Sequence, residues 1–349
     1  MKEAKYSIDV NAGTDLQGLN TFGVPASAPA FTSIHSPRQI EAIARAFDPE
    51  DLLILGGGSN VLFLENPKKF VLHNQLIGRG IMSRKGNTAI IAAAGGENWH
   101  DLVAWSLEMG LGGLENLSLI PGSVGAAPMQ NIGAYGVELS RVLHRVRAID
   151  LKTGKWVLFD AEDCGFGYRT SRFKTADKGR YFIAEVQLRL TTTKHAADTS
   201  YGAINQELAI RNISRPTPAD ISTAVVAIRK SRLPDPKKLG NGGSFFKNPI
   251  VPRKTYQHIR ERYPDLKSFP VDKDRVKIPA AWLIEKAGWK GKRIGQVGTS
   301  PQHALVIVNY GNGTGREVWQ FAIQVRDAVH ERFGVELEPE VNLVGDLSQ

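Results

Sequence analysis

The apolar runs LLIL at 52–55 and VLFL at 61–64, with GGGSN at 56–60 between them, constrain this chain most. Each run is short for a helix and long enough for a strand, and the residues between them are those that turn a backbone tightly. Strand, loop, strand is therefore expected. Upstream, Ser36 precedes Pro37, and Ile40, Ile43, Ala44 and Phe47 recur at helical spacing, which predicts a short capped helix. A third strand at Phe70–His73 completes an α/β unit of about 75 residues, an ordinary domain size. GGGSN is not a dinucleotide fingerprint, because Val61 stands where a glycine is needed and a strand rather than a helix follows. A glycine loop between strands can still aim backbone N–H groups at a phosphate. The alternative is a plain turn, but three glycines in five residues exceed what a turn requires.

Residues 77–232 alternate short strands with helices and read as α+β. AIIAAAG, VRAIDL, KWVLFD and FIAEVQLRL are strand-like, the last with Phe182, Ala184, Val186, Leu188 and Leu190 on one face. Leu102, Val103, Trp105, Ser106 and Met109 fall near one face of a helix. A helix over 218–231 runs into LPDP, whose two prolines predict a domain boundary. Beyond it, a loop-rich start precedes a helix near 279–287, a strand at Ala304–Asn309 and a long helix over 315–333 ended by Gly334. Val318, Ala322, Val325 and Val329 follow the helical period and are expected in the core. VELEPEVNLVG is expected as a strand, with Val335, Leu337, Val341 and Leu343 on one face and Glu336, Glu338 and Glu340 on the other.

LENLSLIPGSVGAAPMQNIGAYG, at 114–136, has little periodicity and sets Ser123, Ala126 and Ala127 among glycines. Absent side chains let a flat or phosphorylated ligand approach the backbone, and Gln130, Asn131 and Tyr135 offer polar groups. A buried irregular crossover would use small residues too. GNGGSFFKNP, at 240–249, sets Ser244 after three glycines in four residues, which predicts an exposed hydroxyl on a mobile or tightly turned loop. Neither the G-x-S-x-G elbow nor the G-K-[ST] phosphate loop is present. In FGYRTSRFK, at 166–174, Arg169 has a setting that suits a guanidinium fixed against a carboxylate or phosphate. Taken singly, Arg169 reads as a surface residue and Glu340 as a solvent-facing strand glutamate.

Composition narrows the chemistry. Cys164 is the only cysteine, so an intrachain disulfide and a thiolate metal cluster are excluded, and redox chemistry would need an organic cofactor. No apolar run approaches the roughly 20 residues of a spanning helix. The leader MKEAKYSIDVNAGTD is polar and has no secretory apolar core, so a cytoplasmic location is expected. The net charge of +9 suits an anionic partner, and dispersed basic residues favour a phosphorylated small molecule over nucleic acid.

Taken in order, NTFGV, LGGGSNVLFL, GLENLSLIPGSVGAAPMQNIGAYG, FGYRTSRFK, SYG, RLPDP, GNGGSFFKNP and LEPEV resemble the UDP-N-acetylenolpyruvoylglucosamine reductase (UDP-N-acetylmuramate dehydrogenase, MurB) family. The likeness runs from Asn20 to Gly345, and SYG at 200–202 resembles its type I form. The resemblance implies an α+β chain of three domains. Residues 1–76 and 77–232 would form a vanillyl-alcohol-oxidase (PCMH)-type FAD-binding unit, with 344–349 a candidate to return to its first part, and 233–343 an α/β substrate-binding domain. It also implies noncovalent FAD, NADPH as reductant, UDP-N-acetylglucosamine enolpyruvate as substrate, peptidoglycan precursor synthesis, and a monomer with no nucleic-acid or membrane partner.

By the same resemblance, Arg169, Ser244 and Glu340 match catalytic positions. Gly56, Gly58, Ser59, Asn60, Val61, Ile120, Pro121, Gly122, Ser123, Ala126, Met129, Asn131 and Gly133 match flavin contacts. Tyr168, Tyr201, Arg232, Asn248 and Lys290 match positions that hold the substrate. The implied chemistry delivers hydride from flavin to the terminal enolpyruvyl carbon, with Ser244 protonating the neighbouring carbon while Arg169 and Glu340 stabilise the developing charge. His303, Phe269 and Asn342 depart from the residues relatives often carry, which are Gln, Tyr and Arg. The rival readings are an oxidase on the same flavin fold, a flavin- or nucleotide-binding module without activity, and a basic RNA-binding protein. No His or Cys for covalent flavin attachment flanks GGGSN.

Overall fold

The computed structural model describes residues 8–347, so the first seven residues of the polar leader and the last two of the chain lie outside it. Contacts group the chain into two compact units. One holds residues 8–14, 28–58 and 67–230, and the other holds 15–27, 59–66 and 231–347. Residues 15–27 and 59–66, expected within the first subdomain, thus count with the C-terminal unit.

In the first unit, Ala30–Ile34, Phe70–Asn74 and Leu52–Leu55 form a three-stranded parallel sheet with Phe70–Asn74 central. The Pro37–Ala46 helix begins with a capping box between Ser36 and Gln39, as Ser36 and Pro37 predict. Its Ile40 and Ile43 enter a core with Ile34, Leu52, Phe70 and Leu72, whereas Phe47 lies just beyond the helix and stacks at a tilt on Phe70.

The larger sheet is antiparallel and five-stranded, in the order Lys155–Asp160, Leu143–Asp150, Tyr181–Thr191, Thr88–Ala94, Arg79–Lys85. Tyr181–Thr191 departs from the expected single apolar face because it is covered on both sides. Phe182 and Ala184 join the core of the parallel sheet, while Ile183, Val186, Leu188 and Leu190 join a second core. Full burial of each such large side chain contributes about 1.5–3 kcal/mol. The Trp99–Glu108 helix packs on that second core through Trp99, Leu102 and Val103. Met109, expected on the same face, is instead its exposed C-cap. Helices Gly202–Ile210 and Pro218–Arg232 share a smaller apolar cluster of Ile204, Leu208, Ile221, Ala224, Val225 and Ile228.

In the second unit, a four-stranded antiparallel sheet runs Gly240–Ser244, Val306–Asn309, Val297–Thr299, Arg293–Ile294. The strand expected at Ala304–Asn309 therefore begins two residues later. A three-stranded sheet of Ile250–Pro252, Arg275–Lys277 and Phe269–Pro270 is inserted in sequence after its first strand. Ala280–Lys286 and Gly315–Phe333 match their expected helices. The latter is capped by a Thr314–Glu317 box, buries Val318, Ala322, Val325 and Val329, and ends at Gly334, whose φ is 63°. VELEPEVNLVG is a strand only at Asn342–Val344, which pairs in parallel with Val61–Phe63. Its burial still alternates over 335–338, since Val335 and Leu337 are buried while Glu336 and Glu338 are exposed. No described helix is long and apolar enough to cross a membrane.

Candidate active site

The first unit carries a cradle made of two glycine loops. Backbone alone separates them: a Cβ on Gly57 would lie 3.0 Å from the Gly122 Cα, and one on Gly56 would strike the Ser123 hydroxyl. The second loop is fixed to the start of the Trp99–Glu108 helix, with the Trp99 N–H donating to the Gly122 carbonyl at 3.0 Å and the Val124 N–H to the Glu97 carbonyl at 2.8 Å. Ser123 Oγ is buried and has no hydrogen-bond partner in the protein. Unmet buried polar groups are costly, so a partner from a ligand is expected there. Ile120, Pro121, Ala126 and Gly58 lie in or beside these two loops.

Next along the chain, Met129, Asn131 and Gly133 meet the FGYRTSRFK segment. The Ser171 hydroxyl donates to the Met129 carbonyl at 2.7 Å, and Asn131 Nδ2 bridges Glu138 Oε2 at 2.8 Å and the Gly167 carbonyl at 3.3 Å. Arg169 Nη2 donates to the Gly133 carbonyl at 2.6 Å, and its guanidinium lies over the Tyr168 ring. Arg169 has φ 54°, a left-handed conformation a non-glycine residue adopts at a cost of about 1–2 kcal/mol. Tyr201 is exposed and meets Tyr135 edge to face at 5.1 Å.

Arg229, which sequence reading passed over as one basic residue on a helix, lies beside this group. Burial pulls its pKa below the usual arginine value, against the Tyr135 hydroxyl bonded to it, and the Arg169 charge adds to the pull. Two guanidiniums are thus within electrostatic reach of each other, an arrangement suited to an anion. The seven-residue spacing of Ser222 and Arg229 on one helix face was the signal available in the sequence.

The second unit gathers the other candidates. Ser244 is not on a free loop: it ends the strand Gly240–Ser244, paired with Val306 beyond a bulge after Asn241. The three glycines read as loop formers, yet their backbone is held in the sheet. The residues after it pair with LEPEV, since the Lys247 N–H donates to the Glu338 carbonyl at 2.9 Å and the Glu340 N–H to the Phe245 carbonyl at 2.8 Å. Glu340 is therefore held beside the peptide that follows Ser244. Asn60 joins them: its Nδ2 donates to the Glu340 carbonyl at 3.3 Å and its carbonyl accepts from Asn342 Nδ2 at 2.9 Å. A Cβ on Gly242 would reach the Ser59 carbonyl at 3.4 Å. Val61 opens the strand that pairs with Asn342–Val344.

Arg232 and Lys290 form a separate cationic group around His303, whose pKa is lowered first by burial, then by Arg232 and Lys290, with Glu285 opposing. Asn248 Oδ1 accepts the Ala280 N–H at 3.0 Å. Phe269 is exposed. Thr21, named in sequence only within NTFGV, has a buried hydroxyl without a hydrogen-bond partner, and its carbonyl accepts the Asn241 N–H at 2.8 Å.

The residues of the first unit fit a flavin dinucleotide, with bare backbone and the Ser123 hydroxyl suited to its diphosphate and Gly133, Asn131 and Arg169 forming a polar margin. In agreement, the description "FAD binding domain" matches residues 28–160, which hold both glycine loops, and the chain is in class an FAD-dependent oxidoreductase. "UDP-N-acetylenolpyruvoylglucosamine reductase, C-terminal domain" matches residues 235–344. The reductase of that name from Flavobacterium johnsoniae is 44% identical over 97% of this chain and 100% of its own length. That from Pseudomonas aeruginosa is 45% identical over 97% of this chain and 99% of its own. The crystal structure of the Thermus caldophilus reductase shares the fold, with a TM-score of 0.65 at 22% identity, covering 97% of this chain and 99% of the other. The chain belongs to the UDP-N-acetylenolpyruvoylglucosamine reductase family.

Proposed function

We propose that this protein uses NADPH to reduce UDP-N-acetylglucosamine enolpyruvate to UDP-N-acetylmuramate, in the cytoplasmic synthesis of peptidoglycan precursor. The reading assigns 1–76 and 77–232 to FAD and 233–343 to the substrate. The observation that carries it is the backbone pairing of 245–247 with 338–340, which holds Glu340 beside the peptide that follows Ser244. A hydride acceptor with no nearby proton source would make little product, and this pairing supports Ser244 in that role.

When bound, FAD supplies to the terminal enolpyruvyl carbon a hydride that comes from NADPH. Negative charge then develops on the adjacent carbon and spreads into the substrate carboxylate. Arg169, whose planar guanidinium is oriented by the Gly133 carbonyl, and Glu340, acting in its protonated form, stabilise that charge. Ser244 Oγ gives its proton to the charged carbon and is reprotonated from solvent, so hydride and proton together saturate the double bond. A hydroxyl is ordinarily a weak acid, but an enolate-like carbon is basic enough to take its proton. Tyr168, Tyr201, Arg232, Asn248 and Lys290 hold the nucleotide sugar.

Anaerobic mixing tests this directly. NADPH should bleach the flavin absorbance, and the enolpyruvyl sugar should restore it in a single turnover. Bleaching that the sugar leaves unchanged would sink the assignment.

A further inference from the structure

Leu119 stands immediately before the Ile120-Pro121-Gly122 part of the cradle and has φ 58°. A leucine in that region costs on the order of 1–2 kcal/mol, so its peptide must be held from outside. It is held on both sides. Its N–H donates to His100 Nδ1 at 3.0 Å, and its carbonyl accepts from Arg229 Nε at 3.2 Å. One residue earlier, the buried Ser118 hydroxyl bonds the Ser222 hydroxyl at 2.8 Å. Ser222 and Arg229 are two turns apart on one face of the Pro218–Arg232 helix, so that helix grips residues 118–119 twice. Arg229 in turn is bonded to Tyr135, which meets Tyr201, and feels the charge of Arg169.

We infer that His100 is a positioning residue of the flavin-side site: in its neutral form it locks the Leu119 peptide, and through it both the glycine cradle and the Arg229 guanidinium. This rests on the reductase reading above. Because Nδ1 accepts, the neutral ring must carry its proton on Nε2. Protonation places a second donor on Nδ1, facing the Leu119 N–H, and the lock opens. The groups around the ring favour the closed form. Burial lowers the His100 pKa most, Arg229 and Lys230 on the neighbouring helix lower it further, and Asp101 on its own helix opposes them. The folded value lies below the ordinary 6.5, so the lock is fully closed above that pH and opens as pH falls through the lower folded value.

The test compares the full-length wild type with His100→Asn and His100→Leu. Asn presents Oδ1 near the place of Nδ1 and cannot titrate. In His100→Asn, kcat should stay within about threefold of wild type at neutral pH, and the acid decline of kcat/KM should disappear. In His100→Leu, kcat/KM should fall about tenfold at neutral pH, the scale of one hydrogen bond lost with its donor left unmet, and the gap to wild type should close as acid opens the wild-type lock. Flavin binding, followed by fluorescence, should weaken with acid in the wild type and stay flat in His100→Asn. An acid limb in His100→Asn identical to that of the wild type overturns the proposal, and so does flavin release with unchanged pH dependence. If His100→Leu does not fold, the Asn variant decides alone. If the wild type fails to reduce the enolpyruvyl sugar, the reductase reading falls, and flavin release against pH still decides the role of His100.

Discussion

In the proposed mechanism Ser244 donates its proton from a group of ordinary acidity, so its geometry must compensate. Ser244→Ala is expected to bind FAD and accept electrons from NADPH at wild-type rates, while flavin reoxidation by the enolpyruvyl sugar slows by about 10²–10⁴-fold. Stopped-flow absorbance separates the two half-reactions, and normal reoxidation would remove Ser244 from the mechanism. Arg169→Lys should impair the same half-reaction, because a point charge replaces a planar donor already oriented by the Gly133 carbonyl at 2.6 Å. Retained reoxidation in that variant would leave Arg169 a structural residue. Local sequence pointed to both residues as candidates through their neighbours, but not to Arg229 or His100. Those two matter through bonds to Leu119, a residue with nothing unusual in its identity and a φ of 58°.

Among the elements, the glycine cradle and the helix caps make separate demands. Gly57→Ala would bring a methyl group to 3.0 Å from the Gly122 Cα, where only backbone could move. The expected result is a folded protein that purifies with little flavin, read from its visible spectrum; a full flavin complement would show that the loops can part. Thr314→Ala removes the capping box at the start of the Gly315–Phe333 helix and should cost about 1 kcal/mol, measured by denaturant unfolding. Helices were the most legible elements in the sequence, because a cap and a 3.6-residue period are local properties. The 335–341 segment was misread as a strand for a related reason. Alternating burial requires only that successive residues point opposite ways, whereas a strand also requires a partner along its length, and beyond Asn342–Val344 only the bridge from Phe246 to Pro339 is formed.

The pH response belongs to the molecule as a whole. His73, His100, His144 and His303 all have pKa values lowered first by burial. Folding therefore favours their neutral forms, a stabilisation present above about pH 6.5 and lost as pH falls through their folded values. The Asp198 carboxylate is held below its ordinary value by Ser200 and then Arg141, and that of Glu317 by Thr314. Their stabilisation persists above the ordinary carboxylate range and is lost on further acidification. Unfolding free energy should accordingly be flat from pH 7 to 8, decline below 6.5 and fall again below 4; a profile flat down to pH 5 would show that these half-buried histidines are not coupled to folding. By itself the sequence determined most helices, the strands with continuous or alternating apolar runs and the two glycine loops, since these follow from periodicity, caps and turn chemistry within a few residues. Tertiary structure decided that Tyr181–Thr191 is buried on both faces, that Ser244 lies in a sheet, and that Glu340 lies beside its following peptide. It also decided that His100 and Arg229 share one leucine peptide. Those contacts depend on strand register and on which surfaces pack, and both are set by hydrogen bonds between residues far apart in the chain.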